Sequence, residues 1–155
     1  MRWACSPALL LAALGYAGCG KAVSAEQREH LQLERALIGF SEAPPEHHRA
    51  RLEEIRGLSF SSERVIGVRR TCLEAYEAFF AAADRLALVR EQAAMVEAES
   101  AKAVDPSPAA GDALSRMQTA ALQGTREVNA ALDRAEALVN ECTRARAWLA
   151  AELAD

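Results

Sequence analysis

Glycine, proline and aromatic residues are scarce in this chain of 155 residues, with eight, five and eight of them respectively. Valine, isoleucine and threonine are outnumbered by alanine, leucine, glutamate and arginine. That balance excludes an ordinary sheet protein, because strands draw on β-branched and aromatic side chains. Positive charge is not in excess: 18 basic residues against 22 acidic ones give a formal charge of -4. A nucleic-acid binder acting through a basic surface is excluded on that ground. Catalytic motifs are missing as well. There is no G-x-S-x-G, no glycine-rich phosphate loop, no H-E-x-x-H and no C-x-x-C-H. The chain therefore reads as non-enzymatic, with no cofactor. Its length suits one small domain. Arginine outnumbers lysine sixteen to two, and alanine is the commonest residue. A GC-rich coding sequence is sufficient explanation for both.

The single long apolar stretch lies within the first twenty residues. Met1 and Arg2 give a positive start, Pro7 to Leu14 an apolar core, and Gly15-Tyr16-Ala17-Gly18 small residues ahead of Cys19. This pattern is a secretion signal and is too short to span a membrane as a mature helix. At Ala17-Gly18-Cys19 it resembles the lipobox of bacterial lipoproteins, with Tyr16 where those sequences usually carry leucine. The resemblance covers residues 1–19. It implies cleavage before Cys19, diacylglycerol on its thiol, and an exported protein anchored in the bacterial outer membrane or facing the periplasm. Gly20, rather than aspartate, follows the cysteine, which resembles an outer-membrane address. The organisation is then signal peptide 1–18, lipidated cysteine and tether 19–24, and a single helical domain 25–155. Ordinary signal cleavage after Ala22-Val23-Ser24 is the competing reading, and it would discard Cys19.

Of four cysteines, Cys5 leaves with the signal and Cys19 takes the lipid, so the folded part keeps Cys72 and Cys142. In an oxidising compartment such a leftover pair suggests one disulfide. Neither cysteine belongs to a C-x-x-C or Cys/His pattern, so zinc and thioredoxin-like chemistry are rejected.

Helix signals divide the domain into four. Ser24 with Gln27 forms a capping box and opens a first helix reaching about Phe40. Pro44-Pro45 separates it from a short second helix, about Glu46 to Arg56, with Gly57 as its C-terminal cap. Ser61-Ser62 are candidate N-caps for a third helical pattern reaching about Val104, and Asp105-Pro106-Ser107-Pro108 must break it. The fourth helix begins near Gly111 to Asp112 and runs almost to the terminus.

The fourth helix carries a 3,4 repeat: Leu114, Met117, Ala121, Gly124, Val128, Ala131, Ala135, Leu138, Cys142, Ala145 and Leu149. The third answers with Val65, Arg69, Cys72, Tyr76, Phe79, Ala83, Leu86, Arg90 and Ala93. Folding back at the proline turn pairs positions whose numbers sum to about 214, which sets Cys72 opposite Cys142. A second apolar stripe, Ile66, Leu73, Phe80 and Ala87 with Leu132, Val139 and Leu153, needs covering. Leu33, Leu37 and Phe40 with Leu52 and Ile55 can cover it. The expected fold is all-α: a long antiparallel, coiled-coil-like helical hairpin with two shorter N-terminal helices packed on its base. The short helices span about 22 Å and 16 Å against about 60 Å for each hairpin helix. The hairpin should therefore end in a protruding two-helix tip, the alternative being a compact bundle bent at Gly124.

Candidate sites are few. Glu26, His30 and Glu34 recur at i, i+4, i+8, a spacing that places three possible metal ligands on one face. A solvated face is the simpler reading, and no metal is assigned. His48 shares a face with Leu52 and Ile55 and is read as packing. The Glu-x-x-His motifs of di-iron bundles are absent. Charge divides along the hairpin. Arg69, Arg70 and Arg144, together with Arg64 and Arg146, mark the base and are read as facing anionic head groups. Glu97, Glu99, Asp105 and Asp112, together with Glu91, mark the tip and are read as partner-binding. The sequence thus points to a membrane-anchored envelope lipoprotein that presents a disulfide-pinned hairpin to an envelope protein or to itself, without nucleic acid. The alternative is a small-ligand carrier or sensor with an apolar pocket between helices.

Overall fold

The computed structural model describes residues 23–102 and 108–154. Within them the elements are α1 (Ala25–Ser41), a 3-10 turn (Pro45–His47), α2 (His48–Gly57), α3 (Glu63–Lys102) and α4 (Pro108–Glu152). The signal segment, Cys19 and Asp105 lie outside the described residues.

Each boundary has a local cause. The Ser24 hydroxyl accepts from the Gln27 amide at 3.0 Å while the Gln27 side chain accepts from the Ser24 amide at 2.8 Å, completing the capping box of α1. Pro44 and Pro45 hold the chain in a turn before α2. There the His48 ring nitrogen Nε2 lies 2.8 Å from the Ala43 carbonyl, and the ring stacks 4.9 Å from Phe40. Two boundaries differ from the sequence reading. Gly57 is the last helical residue of α2 and has no positive φ, so it is not a left-handed cap. The chain leaves through extended backbone at Leu58. Helix α4 begins at Pro108, ahead of Gly111 to Asp112, because a proline at the first helical position gives up no intrahelical bond.

Helices α3 and α4 form the expected antiparallel hairpin. Cys72 and Cys142 are joined, with Cα atoms 4.7 Å apart. Closing a loop over a sequence separation of 70 stabilises the fold by about 4 kcal/mol in the chain-entropy account. Toward the tip, a Cβ built on Gly124 would lie 2.9 Å from Val89 Cγ2. The numbers of these two pairs sum to nearly the same value, so one register holds from the disulfide outward. On α4 every residue of the 3,4 repeat is buried or half-buried.

On α3 the repeat is shifted at alternate positions. The buried residues are Val65, Val68, Cys72, Ala75 and Ala82, with Leu86, Val89 and Val96 half-buried, while Phe79, Ala83, Arg90 and Ala93 are exposed. Arg69 and Tyr76 are half-buried beside the seam. Tyr76 packs on Phe40 of α1, ring centroids 4.3 Å apart. Alanines at the shifted positions let the two backbones approach, and larger side chains there would hold them apart.

The core lies at the base. Leu33, Leu37 and Phe40 from α1 and Leu52 and Ile55 from α2 meet Val65, Val68, Cys72 and Ala75 of α3 and Cys142 and Leu149 of α4. Each leucine or isoleucine fully buried here contributes about 1.5–3 kcal/mol. Leu73, Phe80, Val139 and Leu153 of the second stripe pack against this cluster, whereas Ala87 is exposed. The cluster ends at Phe80 on α3 and at Leu138 on α4. Beyond it, Ala82, Val128 and Ala135 are buried between α3 and α4. Helix α4 runs unbroken through Gly124, where the chain lies against Val89 of α3. At 1.5 Å per residue α3 and α4 measure about 60 Å and 68 Å, against about 26 Å for α1 and 15 Å for α2. A two-helix tip follows from that difference in length.

Candidate functional site

At the base, the three residues spaced as metal ligands on α1 are drawn apart by arginines. Glu26 accepts from Arg64 Nε at 2.8 Å and from the Ser62 hydroxyl at 2.5 Å. Glu34 accepts from Arg146 Nε at 2.9 Å and Nη2 at 2.6 Å. His30 is buried between them, with no partner for Nδ1. Among the described residues, no group of three or more His, Cys, Asp or Glu side chains is placed to hold a metal ion. The arginine and serine hydrogen bonds hold the Glu26 carboxyl below the usual carboxylate range. Glu29 is lowered too, by the Ser61 hydroxyl and by the Ser61 and Ser62 amides. Arg146 is raised by its bond to Glu34. Burial pushes the Tyr76 phenol up, so it stays neutral.

The arginines read as membrane-facing divide in two. Arg69 is engaged inside the protein: Nη1 donates to the Leu58 carbonyl and the guanidinium stands 5.5 Å from the Phe60 ring centroid. Arg70 and Arg144 are exposed, with no ion-pair partner among the described residues, each two residues from a disulfide cysteine. Arg64 and Arg146 are neutralised by Glu26 and Glu34.

At the tip, Glu97, Glu99 and Asp112 are exposed. Glu97 and Glu99 stand two residues apart and so point to opposite sides of α3. Glu99 is joined to Lys102 at 2.8 Å. No common acidic site is assembled from them. The tip also exposes large apolar side chains: Leu88 at 60%, Met95 at 49% and Leu122 at 65% of their full surface. The sequence reading missed these residues. Its available signal was the seven-residue spacing of Leu88 and Met95, one position before the seam residues Val89 and Val96.

Leu33, Leu37, Ile55, Val65 and Leu149 are fully buried. A surface depression between α2 and α3, lined in part by Leu52, Phe80 and Ala81, is crossed by the Arg49–Asp84 and Arg56–Glu77 ion pairs. Among the described residues, no helix is long and apolar enough to cross a membrane.

Fold and surface together define an all-α protein built on a disulfide-linked helical hairpin, with two short helices closing a core at one end. No protein-family model, curated protein or solved structure matches the chain.

Proposed function

We propose that this is a non-enzymatic, lipid-anchored component of the bacterial cell envelope that holds a helical hairpin out to a protein partner. The observation that carries the reading is the hairpin beyond the core. Past Phe80 and Leu138, α3 and α4 continue as unbroken helices with Leu88, Met95 and Leu122 uncovered. Exposed apolar side chains on paired helices suit helix-against-helix docking.

The anchor follows from the signal-like first 19 residues. The described chain starts at Val23, beside Leu153 and Ala154 at the end of α4. Four residues from Cys19 to Val23 extend at most about 14 Å. A lipid on Cys19 keeps the base near the bilayer and leaves the tip free. Arg70 and Arg144 remain available for anionic head groups, whereas Arg69 does not.

The test is photo-crosslinking in the native cell, with a reactive residue placed in turn at Ala98, Ala101 and Ala109. The expected result is one discrete protein adduct from the tip, lost when Cys19→Ser releases the chain from the membrane. Absence of any protein adduct at all three positions overturns the docking reading. Membrane retention of the Cys19→Ser chain overturns the anchor.

A further inference from the structure

Helix α3 carries a second 3,4 stripe besides its seam. Arg85, Leu88, Gln92, Met95 and Glu99 follow one another at steps of three, four, three and four, and all five are exposed. At about 100° per residue they fall within an arc of about 80°, centred about 100° from the seam that faces α4. The stripe begins where the core ends, just past Phe80. Neither short helix therefore covers it.

The stripe is complementary to itself when reversed. Gln92 is its centre. Leu88 and Met95 lie on either side of it, and Arg85 and Glu99 each stand seven residues from it with opposite charge. Arg85 has no ion-pair partner among the described residues, and the Glu99 carboxylate has only the exposed Lys102 three residues on. Laid antiparallel on an identical helix, Leu88 meets Met95 of the other copy, Gln92 meets its counterpart, and Arg85 meets Glu99 twice over. Gln92, whose Oε1 rests beside Gly124 of α4 in the single chain, is long enough to turn its amide toward its counterpart and supply both a donor and an acceptor across the axis.

We propose that this stripe docks a second copy of the chain, joining two hairpins tip to tip through an antiparallel, two-fold α3–α3 contact. The inference rests on the reading of the tip as a docking surface and names its occupant. Two-fold pairing is the simplest closed arrangement for a self-complementary patch. It satisfies both charges and covers both large apolar side chains. Because the overlap is confined to the tips, the two base cores lie at opposite ends of the pair, clear of one another, and two copies anchored at Cys19 in one bilayer pair with their hairpins lying along its surface.

The test uses the full chain in its native cell, with cysteine placed at Gln92 or at Ala94, and the disulfide-linked dimer read on non-reducing gels. Ala94 lies at the same height on another face of α3 and is also exposed. Gln92→Cys is expected to give a linked dimer and Ala94→Cys none. In the Gln92→Cys background, Arg85→Glu or Glu99→Arg alone sets like charges face to face at two symmetric places. Each should lower the yield of linked dimer about tenfold. The double exchange Arg85→Glu with Glu99→Arg restores opposite charges and should restore the dimer. An effect on folding alone would not be rescued in this way, since the two residues are 14 apart on one helix. Equal linkage at both positions, no linkage at either, or failure of the double exchange overturns the pairing. A discrete envelope-protein adduct at Ala98 or Ala101 with no linked dimer at Gln92 removes self-pairing and leaves the docking reading standing. The absence of both removes both.

Discussion

Glu29 shows how a surface carboxylate can be specific without an ion pair. One of its oxygens accepts from the Ser61 amide at 2.9 Å and the Ser61 hydroxyl at 2.6 Å, and the other accepts from the Ser62 amide at 2.9 Å. Both amides belong to the chain entering α3, where donors have no intrahelical acceptor and a negative charge complements the helix dipole. The folded carboxyl is therefore lowered, while the unfolded one titrates at about 4.3. Its contribution to stability is fully present above that value and is lost as pH falls through the lowered folded value. Glu29→Gln should accordingly lower the urea midpoint at pH 7 more than at pH 3. A difference between the two proteins that stays constant with pH would show that the carboxylate charge is not what ties α1 to α3. The three donors were not legible in the sequence. Ser61-Ser62 stood out there only as candidate caps, and the arrival of Glu29 from 32 positions away depends on how α1 lies across the base.

At the scale of the element, glycine separates the two long helices. Gly67 in α3 has nothing within 4 Å of a built Cβ, whereas Gly124 in α4 would meet Val89 at 2.9 Å and Gln92 Oε1 at 3.8 Å. Replacing a helical glycine by alanine in open space stabilises by about 0.4–1 kcal/mol. Gly67→Ala should therefore raise the denaturant midpoint. Gly124→Ala forgoes that gain, because the β-branched Val89 has little rotamer freedom to yield and overpacking costs about 1–3 kcal/mol. Chemical denaturation of both variants checks this, and equal stabilisation would mean that the tip helices are less closely packed than described. A sequence pattern places Gly124 on the seam but treats it as a weak point for a bend. Only the facing side chain shows that a small residue is required there.

Across the whole molecule, stability is graded from base to tip. Four helices bury Leu33, Leu37, Ile55, Val65 and Leu149 completely around the disulfide, while the outer hairpin depends on α3 against α4 alone. Local opening is easiest where few apolar side chains are buried. Amide hydrogen exchange should be slowest over residues 65–76 and 138–149 and faster over residues 88–102 and 110–124. Tip protection should rise with protein concentration as tips pair. Uniform protection along α3 and α4, independent of concentration, would contradict both the gradient and the pairing.

Local signals along the chain are enough to place the helices, their breaks and their register. Capping residues, prolines and a 3,4 repeat act over a few positions, and two cysteines placed on either side of one turn allow a single antiparallel alignment. They leave open which side of α3 faces α4, because Ala75 and Ala82 in a seam look the same as alanines in solvent. Tyr76, one position after Ala75, carries more apolar surface, and the regular 3,4 step from Val65 through Cys72 draws the pattern to it and to Arg69. Packing between distant segments sets Tyr76 on Phe40 of α1 and Arg69 on the connection between α2 and α3, and it pairs Glu26 and Glu34 with arginines. It also leaves Arg85, Leu88, Gln92, Met95 and Glu99 uncovered. The physical reason is common to all of these. Burial and charge pairing depend on what lies opposite a residue in space, and for this hairpin that is set by helices arriving from distant parts of the chain.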